Sequence, residues 1–256
     1  MSLCDVEKRV ISWFSCGAAS AVATVLAAIK YGNRMEAVYC RVVEEHEDNL
    51  RFLADFTKVF GIPVKTIINE TYRGSIYDVF IKRGYIKHIK GGAPCTTTLK
   101  KDMRKKYQLP TDIQVFGYTI EEQHRADRFI DANNEVTEDF ILIENGISKQ
   151  DCLDLIKHSG IELPVMYKLG YQNNNCIGCV KGGMGYWNAI RKHFPNQFER
   201  MAKLERMLNH SVCKDDDGPV FLDELDPKRG RFKMDQPNDC GFTCEVKNEV
   251  ENSRLE

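Results

Sequence analysis

The sequence predicts an α/β fold, a doubly wound and mostly parallel sheet, with a C-terminal module that is helical and rich in cysteine. Three observations lead there. Short apolar runs alternate with stretches of helical periodicity over the first two thirds of the chain, the pattern of strands joined by helical crossovers. The first such pair, Arg9 to Ile29, joins an apolar strand to a helix through a turn of small residues. From Tyr171 the composition changes and close pairs of cysteines appear.

Val10 to Phe14 reads as the first strand, Ser15 to Ser20 as the turn, and Val22, Val25, Leu26 and Ile29 as the buried face of the first helix. Amides left open at a helix N-terminus, together with the helix dipole, favour an anion, and small side chains let a phosphate approach the backbone. Any doubly wound fold also opens on strand, turn and helix, so this stretch alone leaves both readings open. The spacing is neither G-x-G-x-x-G nor a loop closed by Gly-Lys-Ser/Thr. Ser15-Cys16-Gly17-Ala18-Ala19-Ser20 does resemble the pyrophosphate loop Ser-Gly-Gly-x-Asp-Ser of the adenine nucleotide alpha hydrolase superfamily. Cys16 stands at its first glycine and Ala19 at its aspartate, which removes a carboxylate from the ATP-cleaving pattern.

Residues 35–43 read as a second strand, Glu44 to Asp48 as a charged strand-end loop, and Asn49 to Phe60 as a helix ended by Gly61-Ile62-Pro63. Val64 to Ile68 makes a third strand, and Tyr77 to Arg83 a short helix. Gly91 to Lys101 is a loop entering a basic helix whose start Thr96 to Thr98 can cap. The cations through Lys106 are either a solvated face or include a Lys100 that reaches a phosphate. Ile113 to Phe116 is a strand ending at Gly117-Tyr118. Arg125 and Arg128, three apart on the next helix, either clamp phosphate or sulfate oxygens or pair with Glu121 and Glu122. Phe140 to Ile143 reads as a further strand, and Ser148-x-x-Asp151 as a capping box opening a helix to about His158. In such sheets ligands bind beyond the carboxyl ends of the strands.

In the C-terminal third, Cys176-Ile177-Gly178-Cys179 is a knuckle whose two thiolates can grip one metal. Met184 to Leu208 follows as mainly helical, with Trp187, Ile190, Phe198, Met201 and Leu208 as an apolar face. Cys240 and Cys244 form a second close pair, giving four ligands for zinc or for an iron–sulfur cluster. Cys4, Cys40, Cys152 and Cys213 have no partner in sequence and read as small hydrophobes or surface thiols. These features divide the chain into 1–170, an adenine-nucleotide-binding α/β domain, 171–246, the metal module, and 247–256, a charged tail.

With 256 residues the chain can bury one substantial core and a small appended module. A net charge of -1 gives no global signal for a polyanionic partner, and no basic stripe favours nucleic acid. No apolar run approaches the roughly 18 residues of a membrane span. The absence of an apolar signal core and the ten cysteines lead us to expect a cytoplasmic protein whose thiols serve metal or redox chemistry.

Several stretches in order resemble the phosphoadenosine phosphosulfate reductase family, most closely its phage and prophage members. They are the Ser15–Ser20 turn, Cys95-Thr96-Thr97-Thr98-Leu99-Lys100, Gly117-Tyr118-x-x-Glu121-Glu122-x-x-Arg125 and, most specifically, the block from Asn174 to Asn188. The resemblance implies a five-stranded parallel sheet with an adenine nucleotide, phosphoadenylyl sulfate or ATP, at the strand ends. Ser15, Cys16, Gly17, Ala18 and Ser20 would then hold a phosphate, the Arg41–Val43 edge would face the adenine, and Lys100, Arg125 and Arg128 would meet the sulfate or second phosphate. In the iron–sulfur branch a Cys-Cys pair precedes the C-x-x-C; here only Cys95 of it is present. Cys95 is therefore an alternative ligand beside Cys176, Cys179, Cys240 and Cys244, for zinc or a [4Fe-4S] cluster. Asp239-Cys240-Gly241 partly echoes the family's nucleophilic element. As nucleophile, the Cys240 thiolate would attack the sulfate sulfur and form a thiosulfonate as the adenosine phosphate leaves; a second thiol, from a donor such as thioredoxin, would then release sulfite. The expected activity is sulfonucleotide reduction or nucleotide-driven sulfur transfer, in a monomer or a homodimer. The alternative is a nucleotide-binding regulatory protein whose metal site is structural.

Overall fold

The computed structural model describes residues 8–88 and 92–237. Cys4, Cys240, Cys244 and the tail 247–256 lie outside the described residues, and with them the candidate nucleophile and the second cysteine pair.

In chain order the strands are β1 (Val10–Phe14), β2 (Met35–Cys40), β3 (Val64–Ile67), β4 (Ile113–Val115), β5 (Thr137–Asp139), β6 (Cys213–Lys214) and β7 (Pro219–Val220). The helices are α1 (Ala18–Tyr31), α2 (Asp48–Phe60), α3 (Ile76–Arg83), α4 (Pro94–Thr96), α5 (Asp102–Tyr107), α6 (Gln123–Ala132), α7 (Ile141–Glu144), α8 (Lys149–His158), α9 (Val165–Lys168), α10 (Met184–His193) and α11 (Pro195–Leu208). Residues Thr97–Lys101 form a π-helical turn after α4.

The chain divides into two compact units. The first comprises Met1–Arg41, Glu47–Ile68 and Asp102–Lys168. Its sheet has five strands in the order β3-β2-β1-β4-β5, every adjacent pair parallel. Val10 is in register with Met35 on one side and Ile113 on the other, and Ile113 with Thr137. All five residues of β1 are buried, as a central strand covered on both faces requires. The strand order reverses direction between β1 and β4, which makes the carboxyl ends of these two strands the topological switch point.

Of the face expected for helix α1, Val22 is buried and Val25 and Leu26 pack partly buried against the core, but Ile29 does not. Ala18, Ser20, Ala21, Val22, Ala23, Thr24 and Ala27 are buried, whereas Ile29 is 76% exposed. Small side chains let the helix lie close to the sheet. The buried hydroxyls on this face satisfy each other: Thr24 Oγ1 donates to the Ser20 carbonyl, and Ser12 and Thr24 hydroxyls lie 2.8 Å apart.

Two further readings are corrected. Phe140 to Ile143 is not a strand: β5 is Thr137–Asp139, and Ile141 begins the helical turn α7. A run of four apolar residues fits a buried helical turn as well as a strand, and here Ile141 and Leu142 enter the core that way. Thr96 to Thr98 do not cap a helix start. The helix begins at Pro94, whose ring presets the first helical position, and Ala93 is its N-cap. The capping box at Ser148 forms as its sequence predicts, with Asp151 N donating to Ser148 Oγ (3.1 Å) and Ser148 N to Asp151 Oδ2 (2.9 Å).

The second unit comprises Val42–His46, Asn69–Lys101 and Leu169–Glu256. It thus takes in two segments that a division at residue 170 assigns to the nucleotide domain. The buried Glu44 carboxylate gathers these pieces. It accepts from Ser75 Oγ (2.7 Å) and Ile76 N (2.9 Å) at the start of α3, and the Glu44 carbonyl accepts from Ile177 N (2.8 Å) in the cysteine knuckle. Helices α10 and α11 follow one another across Phe194, with Trp187, Ile190 and Met201 fully buried. Among the described residues, no helix is long and apolar enough to cross a membrane.

Candidate nucleotide and cysteine sites

In the first unit, the turn after β1 is built around the Ser20 hydroxyl. It donates to the Gly17 carbonyl (2.9 Å) and accepts from Ser15 N (3.0 Å) and Ser15 Oγ (3.0 Å). One donor and two lone pairs exhaust a hydroxyl. The Ser15 and Ser20 side chains therefore shape the turn, and the groups left to meet an anion are main-chain amides.

Cys16 has φ +57°, the left-handed region that glycine enters without steric cost. Cys16 thus takes a backbone conformation in which a glycine would be free of strain. Gly17 is the N-cap of α1 and offers no capping side chain, and the first turn carries no acid. In an α-helix the first amides have no intrahelical acceptor, so those of Ala19 and Ser20 point beyond the N-terminus. Ala18 N donates to the Tyr167 hydroxyl at 3.4 Å.

The end of β4 closes the other side. A Cβ on Gly117 would lie 2.7 Å from both Cα and N of Ser20, so the end of β4 and the first turn of α1 meet backbone to backbone. Beyond Gly117, Arg125 is buried, pairs with Glu122 and lies over the Tyr118 ring, its guanidinium carbon 4.8 Å from the centroid. Arg128 is exposed and donates from Nε to the His124 carbonyl (3.2 Å). Glu121 accepts from Lys149 N, so only one of the two expected acid partners takes an arginine. Arg41 is exposed, its amide bonded to the Ile67 carbonyl (2.9 Å).

In the second unit, Val43 is 52% exposed and its amide donates to the Gly74 carbonyl. Lys100 is buried in the π-helical turn, with Nζ 3.3 Å from Glu45 Oε1, so the solvated-face reading fails at this position. A buried lysine beside a buried carboxylate is a charge held ready in low dielectric, and π-turns are frequent at functional sites. Cys95 lies on α4, half-buried.

The knuckle Cys176–Cys179 turns at Gly178, with φ +75°, against the Trp187 ring; a Cβ there would meet that ring at 3.0 Å. Both thiols are buried. The Tyr186 hydroxyl ties the two ends together: Cys179 N donates to it (2.9 Å) and it donates to the Cys176 carbonyl (3.3 Å). Burial pushes the Tyr186 phenol well above its ordinary pKa, so it stays a neutral donor. Tyr186→Phe is expected to remove both of these buried hydrogen bonds and to cost about 1–3 kcal/mol. Thermal unfolding checks this, and a melting temperature equal to that of the unaltered protein would show the bridge to be dispensable.

Among the described residues, no group of three or more His, Cys, Asp or Glu side chains is arranged to hold a metal ion. The described part of the candidate metal set is the Cys176/Cys179 pair, with Cys95 elsewhere in the same unit; Cys240 and Cys244 are not described. Cys40, Cys152 and Cys213 are buried, as the small-hydrophobe reading expects, and burial raises the Cys152 and Cys213 thiols to about 12 each.

Sequence reasoning assigned no role to Tyr167, Glu44 or Tyr186. Tyr186 falls in the most specific block of the resemblance. Glu44 and Tyr167 act on residues far along the chain, and nothing in their local sequence marks them.

A comparison with protein-family models finds no match, and one with curated proteins finds none. Among solved structures the chain is similar to the U34-tRNA thiolase NcsA from Methanococcus maripaludis with its [4Fe-4S] cluster. The identity is 14%, the match covers 79% of this chain and 72% of that chain, and the TM-score is 0.42.

Proposed function

We propose that this protein binds an adenine nucleotide at the turn after β1 and acts as an enzyme of sulfonucleotide reduction or nucleotide-driven sulfur transfer. The observation that carries the proposal is the main-chain seat itself. A left-handed Cys16, an uncapped Gly17 and a first turn without acid stand at the switch point of a parallel sheet. The sulfur half of the reading rests on the resemblance and on the cysteine knuckle. Calorimetric titration with ATP and with phosphoadenylyl sulfate is expected to give saturable binding; no binding of either would end the proposal.

For the second unit we propose that Cys176 and Cys179 hold zinc or a [4Fe-4S] cluster with further cysteines, Cys95, Cys240 and Cys244 being the candidates. Bound there, such a group would brace the module or present sulfur to a substrate. Metal analysis of anaerobically purified protein is expected to find zinc or iron, and the Cys176→Ser/Cys179→Ser double variant to lack it. A metal-free wild-type protein would remove this half and leave the nucleotide half standing.

A second reading, a nucleotide-binding regulatory protein, is favoured by Ala19, which leaves the loop without the carboxylate of the resembled motif. Sulfite release from phosphoadenylyl sulfate with a thiol donor separates the two. The enzymatic reading expects release, abolished in Cys240→Ser if Cys240 is the nucleophile.

A further inference from the structure

We infer that residues 226–237 form a strap that holds Cys240 to the Cys176–Cys179 knuckle, and that Asp235 is the strap's positioning residue. The inference rests on the reading of the knuckle as a thiol site and selects Cys240 among the cysteines proposed to join it. The strap lies against α10, the helix that follows the knuckle. Asn188 Nδ2 donates to the carbonyls of Asp226 (3.0 Å) and Arg229 (2.8 Å). A Cβ on Gly185 would lie 2.5 Å from Arg231 N, and one on Gly230, at φ +82°, would clash with Gly185 N, so two backbones meet where only glycine fits. The N-cap of α10 is Gly183, which has no side chain to offer. The Asp235 carboxylate supplies what this cap lacks. Its Oδ2 accepts from Gly185 N (2.8 Å) at the positive end of the helix and from Arg231 N (2.8 Å) within the strap.

From Asp235 onward the strap is tied to both flanks of the knuckle. On the far flank, the Asp235 carbonyl accepts from Gly183 N (2.8 Å), one residue past the turn in which Gly182 N donates to the Cys179 carbonyl (3.0 Å). On the near flank, Gln236 Oε1 accepts from Gln172 N (2.6 Å) and the Pro237 carbonyl from Asn173 Nδ2 (3.0 Å), and Asn173 stands three residues ahead of Cys176. Pro237 is the last described residue, and Cys240 follows it by three. Three residues span at most about 11 Å, so Cys240 stays within that distance of a point bonded to the segment that leads into the knuckle. One carboxylate at a helix start thus limits where the next thiol of the chain can go.

Diamide joins neighbouring thiols: a sulfur–sulfur bond forms as two S–H bonds break, and the reagent takes up both protons and both electrons. In Cys179→Ser/Cys244→Ser neither close pair can oxidise within itself, so Cys240 is left to report on Cys176. Treatment of the full chain with a chelator and diamide, followed by peptide mapping, is expected to give the Cys176–Cys240 disulfide. Cys240 joined to another cysteine or to none would overturn the inference. If this variant does not fold, wild-type protein is mapped in the same way; a bond from Cys240 to Cys176 or Cys179 is expected, and its absence would overturn the inference. Asp235→Ala is expected to slow the bond roughly 10-fold, because the strap no longer keeps the effective concentration of Cys240 high at the knuckle, while Cys95 reacts with a monofunctional maleimide at its former rate. An unchanged rate of disulfide formation would overturn the role of Asp235, and an equal change at Cys95 would overturn it too, making that role structural. If Asp235→Ala does not fold, Gln236→Ala is expected to slow the bond in the same way, and an unchanged rate would overturn the strap. Metal analysis keeps the two readings apart. A metal-free wild-type protein that forms the disulfide fails only the metal reading; a metal-holding protein whose Cys240 joins no knuckle thiol fails only this inference.

Discussion

Gly117→Ala is expected to abolish adenine-nucleotide binding and to lower the melting temperature by roughly 6–12 °C. The added Cβ would lie 2.7 Å from Ser20 Cα and N and 3.0 Å from the Ala19 carbonyl carbon. All three are backbone atoms of the first turn of α1, and no rotamer change relieves them. Either β4 or the N-terminus of α1 must move by several tenths of an ångström, an overpacking cost of about 3 kcal/mol. The same movement displaces the amides of Ala19 and Ser20, the groups proposed to seat the phosphate. Binding should therefore be lost even at temperatures where the variant remains folded. Calorimetry together with a thermal melt checks both parts. A variant that melts with wild-type protein and binds normally would mean that the end of β4 and the first turn of α1 are not in backbone contact.

Glu205→Ala is expected to destabilise the helical part of the second unit strongly. Glu205 lies fully buried on α11 and accepts from the amides of Val212 and Leu222 (2.7 Å for the latter), which flank β6 and β7. Truncation leaves two buried donors without acceptors and a cavity, at about 4 kcal/mol. Burial raises the Glu205 carboxyl to about 7 from its ordinary 4.5. Between these two values the folded protein keeps a proton that the unfolded chain has released. Stability from this group is thus complete below about pH 4.5 and falls by about 3 kcal/mol as pH rises to 7. Glu205→Gln cannot ionise, so its melting temperature relative to wild type should rise across this window. A constant difference between the two from pH 4.5 to 7 would show that folding does not raise the Glu205 carboxyl.

Much of the first unit could be read from local pattern. Val10 to Phe14 is apolar throughout because a central strand is covered on both faces, and Gly61 ends α2 in the left-handed conformation its position suggests. The capping box at Ser148 is a three-residue relation and forms as such. The turn between Cys176 and Cys179 was legible because its glycine, Gly178, stands within the same four residues.

What escaped were the features decided by space. On α1, Val22, Val25 and Leu26 pack on the core as read, but close approach to the sheet also selects alanines, which no apolar pattern marks, and leaves Ile29 in solvent. Arg125 and Arg128 share a spacing but not an environment, since only the fold tells a buried guanidinium over Tyr118 from an exposed one.

The sequence by itself determined the alternation that makes a parallel sheet, the small-residue turn after its first strand and the turn at Gly178 between Cys176 and Cys179, because each is encoded by neighbours along the chain. Only the tertiary structure decided that the Ser20 hydroxyl is consumed within the turn, that Glu44 joins the knuckle to α3, and that Tyr167 reaches Ala18 across 149 residues. A hydrogen bond needs two groups within about 3 Å, and for groups so distant in sequence the folded chain alone can bring them there.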